Sequence, residues 1–146
     1  MKNKIMLLIL SLLTIVVTLN ADSKSLVTNY GYEDSYEKAL NKAKSLDKPI
    51  MLVLSTKTCA WCRKLERQTL KKDFIREIIK KDFISLSIDR DHGAYPDAFK
   101  TEVVPTVFII NAHNEEKVSS IYGYKNKKDF KNLLIEASKK YNKDNK

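Results

Sequence analysis

Apolar residues change their period several times along this chain, and each change marks an element. From Glu33 to Leu46 they recur at helical spacing, with Tyr36, Leu40 and Ala43 on one face. Asp34 stands where a cap is needed, Glu37 follows three residues on, and Asp47-Lys48-Pro49 ends the helix. Ile50–Ser55, I-M-L-V-L-S, is a continuous apolar run between turn signals, the pattern of a strand buried on both faces. A helix is predicted from Cys59 to Leu70, with Cys62, Leu65 and Thr69 facing inward. Asp73 is placed to cap a further helical piece carrying Phe74, Ile75, Ile78 and Ile79. Phe83–Ile88 reads as a second strand, Asp89–Tyr95 as a loop and Pro96–Lys100 as a helical turn. Thr106–Ile110 and Lys117–Tyr122 read as a hairpin around the turn Asn111–Glu116. Asn126, with Asp129 at the third position, caps a last helix to Tyr141, whose buried stripe is Phe130, Leu133, Leu134 and Ala137.

That order, β-α-β-α-β-β-α behind an extra first helix, predicts an α/β fold. The expected architecture is a four-stranded mixed sheet with helices on both faces. Residues 22–32 are polar without a clear period and read as a flexible lead-in, which leaves 33–146 as the domain.

Residues 1–21 follow a different pattern. Lys2 and Lys4 precede an apolar run from Ile5 to Leu19, and Asn20-Ala21 lead into polar sequence. This is the layout of a secretory signal peptide, and the run is shorter than the ~20 residues of a usual membrane span. An uncleaved membrane anchor is the alternative. Export to a periplasm is the expectation. The chain's 146 residues and formal charge of +9 fit one basic domain. The cations are spread over helices and the C-terminal tail, without an Arg/Lys stripe interleaved with aromatics, so a nucleic-acid partner is not expected.

Export sharpens the reading of the cysteines. The only two, Cys59 and Cys62, stand in T-K-T-C-A-W-C-R. A bridge across so short a loop removes little entropy from the unfolded chain, so a redox pair explains it better than a staple. Cys59 follows a buried strand and opens a helix, where unpaired N–H groups and the helix dipole favour a thiolate. That lowers the thiol toward neutrality, not to the strongly acidic range of a strong oxidant. Cys59 is therefore the candidate nucleophile, and Cys62, one turn inward, the resolving thiol that frees the product. Trp61 is either an exposed substrate platform or an ordinary packed aromatic. A metal site would need His92 or His113 beside the cysteines, and their spacing matches no zinc motif; no metal and no bound cofactor are expected.

The strand I-M-L-V-L-S, the C-A-W-C at a helix start and the V-V-P-T before a later strand together resemble the thioredoxin superfamily, from about Tyr36 to Tyr141. The stretch C-A-W-C-R-K-L-E-R-Q-T-L resembles a bacterial subgroup with a signal peptide. The resemblance implies a cis peptide bond before Pro105, close to the disulfide. It also implies that Val104, Pro105 and Thr106 border the substrate, with the Val104 backbone open to an added strand. One departure stands out. The buried aspartate that thioredoxins usually carry six residues before the first cysteine is Val53 here. Glu66, four residues after Cys62 on the same helix face, is the candidate proton acceptor in its place; the competing reading is a surface partner for Arg63. No segment is long enough for the helical insertion of the oxidase DsbA. The expectation is a monomeric thiol–disulfide oxidoreductase acting on exported proteins, as a reductase supplied with electrons by a membrane partner. Alternatives are an oxidase or isomerase of the same fold, or a copper-delivery or peptide-holding module.

Overall fold

The structure, a computed structural model, describes residues 24–145. The stretch read as a signal peptide, residues 1–21, lies outside the described residues. Among the described residues no helix is long and apolar enough to cross a membrane.

Four strands form one sheet in the order β2-β1-β3-β4. β1 (Ile50–Ser55) lies inside it, parallel to β2 (Ile84–Asp89) and antiparallel to β3 (Thr106–Ile110). β4 (Lys117–Tyr122) closes the far edge antiparallel to β3. The continuous apolar run of β1 follows from this position, since alternate residues enter two different cores. Met51 and Val53 pack on one face with Leu65, Ile75, Val107 and Phe130. Ile50, Leu52 and Leu54 pack on the other with Ala39, Ala43, Phe99 and Phe108. Helices therefore cover both faces, as the element order requires.

The helices are α1 (Lys24–Tyr30), α2 (Tyr36–Leu46), α3 (Ala60–Leu65), α4 (Asp73–Asp82) and α5 (Lys127–Asp144). Helix α1 corrects the sequence reading, which gave residues 22–32 as a flexible lead-in. Seven residues cannot hold a helix alone in water. This one is held by burial of Leu26, with Val27 and Tyr30 packed against the same core. Tyr32, just beyond, is buried too, and Glu33 extends the sheet by bridging to Leu86. Its N–H donates to the Ser85 carbonyl at 2.8 Å, and its carbonyl accepts from Ser87 N–H at 3.1 Å.

Two caps also differ. Ser35 rather than Asp34 precedes α2, and Asp34 accepts from Lys38 Nζ at 3.0 Å instead. Lys72 precedes α4, so Asp73 falls inside its first turn, where its charge favours the positive end of the dipole. Asn126 caps α5 as expected, its Oδ1 accepting from Lys128 and Asp129 N–H, both at 3.0 Å. Strand β2 runs one residue later than the predicted Phe83–Ile88. The predicted helix from Cys59 to Leu70 is α-helical only to Leu65 and then widens into a π turn over Glu66–Leu70.

Candidate active site

The end of β1 delivers the chain to Thr56-Lys57-Thr58 and then to Cys59, the N-cap of α3. Cys59 and Cys62 are joined by a disulfide, their Cα atoms 5.2 Å apart, within the ordinary range for a bridge. Cys59 is partly exposed, whereas Cys62 is only 8% exposed. The Cys62 N–H donates to Cys59 Sγ at 3.0 Å. The first-turn donor of the helix is thus aimed at the outer sulfur, an arrangement that favours a thiolate there once the bridge is open.

The structure brings the V-V-P-T segment to the same place. The Val104–Pro105 peptide bond is cis, and Pro105 shares a small cavity with Cys62. Thr106 Oγ1 donates to the Val103 carbonyl at 2.7 Å, and the Pro105 carbonyl accepts from Gly123 N–H at 2.8 Å. Gly123 has φ +71°, a left-handed conformation that suits glycine. Among the described residues, no hydrogen bond occupies the Val104 backbone N–H or carbonyl.

The cavity has a volume of about 30 Å³ and is walled by Val53, Cys62, Leu65, Glu66 and Pro105, with Leu26 of α1 on the outer side. The cavity is mostly apolar, with the Glu66 carboxylate among its polar groups, and its volume is enough for one water. Glu66 is 9% exposed and ion-paired to Lys71 Nζ at 2.6 Å. The reading of Glu66 as a surface partner of Arg63 is therefore corrected: Arg63 donates instead to the Lys57 carbonyl at 3.2 Å. The π turn explains the choice of partner, since Lys71 N–H donates to the Glu66 carbonyl at 3.0 Å and brings a residue five positions on alongside. Tyr32 is an addition that sequence reasoning missed. Among the described residues its buried hydroxyl has no hydrogen-bond partner. Burial first, and then the nearby Glu66 charge, push its pKa well above the ordinary tyrosine range, with Arg76 opposing.

Trp61 is 57% exposed. Its ring lies 5.8 Å from that of Tyr124, and Lys64 Nζ stands 4.6 Å from the first and 4.7 Å from the second. The histidines are occupied elsewhere. His92 Nδ1 lies 3.1 Å from Asp89 Oδ1, and His113 Nε2 lies 2.9 Å from Asp47 Oδ1 at the opposite end of the sheet. Among the described residues, no three His, Cys, Asp or Glu side chains gather as a metal site. A groove of about 680 Å³ runs along the β2 edge between α1, α2 and α4 and contains no cysteine.

Comparison with known proteins places this geometry. No curated protein matches the sequence significantly. Among solved structures, a thioredoxin from Thermus thermophilus superposes with a TM-score of 0.61 at 18% identity, over 70% of this chain and 82% of that one. DsbH oxidoreductase gives 0.61 at 20% identity, over 74% and 83%. The oxidised DsbD C-terminal domain of Neisseria meningitidis gives 0.59 at 17%, over 82% and 98%. At these identities the likeness is one of fold. The Thioredoxin-like family model matches residues 31–112, more than half of the chain, and spans the cysteine pair and the proline loop. A Cys59–Cys62 disulfide at the mouth of a helix, in a four-stranded mixed sheet, is the redox module of that family, and this chain belongs to it.

Proposed function

We propose that the protein is an exported protein-disulfide reductase, with Cys59 as its nucleophile. The observation that carries this reading is the unequal exposure of the two bridged sulfurs, the outer one at a helix start and the inner one covered. In the reduced protein, the Cys59 thiolate attacks one sulfur of a client disulfide. A mixed disulfide forms, and the client's other sulfur leaves as a thiolate and takes up a proton. Cys62 loses its proton and attacks Cys59 Sγ. The Cys59–Cys62 bond forms, and the client's second sulfur departs. Two electrons and two protons pass to the client, and a thiol-bearing donor at the membrane restores the dithiol.

Glu66 is the acceptor for the Cys62 proton, directly or through one water in the cavity they share. Val104, Pro105 and Thr106 shape the edge along which an extended client segment lies, its backbone pairing with Val104. Support for the reductase direction comes from the modest activation of Cys59. One short helix and one 3.0 Å N–H bond favour its thiolate, the cations Lys57, Arg63, Lys64 and Arg67 add to this through solvent that screens them, and strong oxidants need more. Export is supported by the basic, then apolar, then polar order of residues 1–21.

The test is equilibration with glutathione, together with insulin reduction by the wild type and by Cys62→Ser. A potential nearer about −270 mV than about −120 mV supports the reductase. Cys62→Ser should accumulate the mixed disulfide with a client. A potential at the oxidising end refutes the direction, and failure to trap any client through Cys59 refutes the mechanism.

A further inference from the structure

Charges around the disulfide are sorted by sign. Between Thr56 and Gln68 the chain carries Lys57, Arg63, Lys64 and Arg67, and its one acid is Glu66. That acid is mostly buried, with Lys71 on its carboxylate. Among the described residues, no carboxylate forms an ion pair with any of those four cations. Elsewhere the protein does pair its cations, as in Lys42 with Glu33 at 2.7 Å and Arg90 with Asp91 at 2.7 Å.

One of the four is held in place. Lys64 Nζ sits over both the Trp61 and Tyr124 rings, and the Tyr124 hydroxyl donates to Gln68 Oε1 at 3.1 Å. A ring face attracts an ammonium and fixes its position without neutralising its charge. The result is a ledge beside Cys59 with an apolar surface, Trp61, and a positioned cation that pairs with no carboxylate among the described residues.

We propose that this ledge docks an acidic segment of the client protein, with a client carboxylate on Lys64 and an apolar neighbour against Trp61. The proposal rests on the thiol–disulfide exchange reading and names the class of client it serves. Trp61 lies between the two cysteines in the chain, so a segment held on it lies near the reacting sulfur. A lipid surface at that place would shut out the client, whereas a client segment brings its own disulfide with it. On the other side, Val103 is 47% exposed and the Val104 backbone is open, which suits an extended chain crossing from ledge to proline loop. The formal charge, +9 for the chain and +7 without Lys2 and Lys4 of residues 1–21, steers acidic partners from a distance.

The experiment uses the reduced full chain and three disulfide-bonded peptides of equal length. Their residues flanking the disulfide are Glu, Gln or Lys, and their apolar neighbours are the same. A neutral small disulfide, bis(2-hydroxyethyl) disulfide, monitors exchange by itself. The Glu peptide should exceed the Lys peptide in kcat/KM by about tenfold or more at low salt, with the gap closing as ionic strength rises. Lys64→Glu should erase or invert the ratio, and Lys64→Arg should retain it. Trp61 is the sole tryptophan, so its fluorescence should respond to the Glu peptide before exchange. Equal rates for the three peptides, with the neutral disulfide still reduced, overturn the ledge and leave the exchange reading standing. A Trp61 response to phosphatidylglycerol vesicles combined with equal peptide rates assigns the surface to lipid and also overturns it. Failure to reduce even the neutral disulfide removes the exchange reading and the ledge with it.

Discussion

The two ends of β1 are finished in opposite ways. Where the strand begins, polar groups close on one another. Asp47 ends α2 in a left-handed conformation, φ 48°, and its carboxylate faces His113 Nε2 at 2.9 Å and accepts from the Tyr141 hydroxyl at 3.2 Å. Beside it, Asn111 Oδ1 accepts from His113 N–H at 2.9 Å and Asn111 Nδ2 donates to Asn145 at 3.2 Å. One cluster ties α2, the β3–β4 turn and the end of α5. Where the strand finishes, about 20 Å away along six residues, bonds are left open. There stand the disulfide, an exposed Trp61, an unpaired Val104 backbone and a small cavity with a carboxylate in its wall. The fold holds itself together at one end and keeps reactive groups at the other, so changes at the two ends should separate stability from exchange.

The largest effect should come from Cys59→Ser. Exchange should fall to background, while the unfolding midpoint should move little, because the bridge closes a very short loop. Insulin reduction and a urea titration measure the two quantities on one sample. A large loss of stability with exchange retained would make the bridge a staple and dissolve the contrast. Val53→Asp tests the open end from below. It restores the aspartate found in thioredoxins, but here it buries a second carboxylate in the cavity that Glu66 already borders. A loss of about 3 kcal/mol or more is expected at pH 7. The introduced carboxyl would have its pKa raised by burial and by Glu66, so the penalty should shrink as pH falls and the group protonates. A urea midpoint equal to wild type at pH 7 would mean that the cavity solvates a second charge.

Most of the sheet was legible in the sequence because buried strands leave a local signature. β1 announced its position through five consecutive apolar residues, and the hairpin through its turn. The cysteine pair was legible because its chemistry is compressed into four residues. Helix α1 was not, because two turns with Leu26, Val27 and Tyr30 as anchors are too short to show a period, and only tertiary packing makes them helical. The setting of Glu66 was hidden for a different reason. Reading at α-helical spacing points to partners three or four residues away, and the π turn delivers Lys71 at five. Tyr32 and Tyr124 were out of reach altogether, since their places beside Glu66 and Trp61 depend on contacts across the fold.

Smaller effects belong to the closed end. Asp47→Ala should lower stability modestly, since it leaves the Tyr141 hydroxyl without its acceptor, and the rate of exchange should not change. Hydrogen bonding to His113 first, and to Tyr141 next, holds the Asp47 carboxyl below the usual aspartate range. Its contribution is present above the unfolded pKa and is lost as pH falls through the lower folded value. A wild-type advantage over Asp47→Ala that persisted unchanged at strongly acid pH would contradict this.

Tyr141 gives the finest division of the two ends. Burial first, and then the charge and hydrogen bond of Asp47, push its pKa up to about 12, against about 10 in an unfolded chain. The folded state therefore holds a proton that the unfolded state releases across that interval. Stability from this group is complete below about pH 10 and is lost as pH rises toward 12. Tyr141→Phe removes both the hydrogen bond and the titration. At pH 7 it should cost about 0.5–1 kcal/mol, and the gap between wild type and variant should narrow through that alkaline window. Urea midpoints at pH 7, 10 and 11 measure it, with exchange followed at pH 7. If the variant lost exchange activity in proportion to stability, the two ends would be coupled through α5 and the sheet, and the division of labour drawn from the bonding pattern would be wrong.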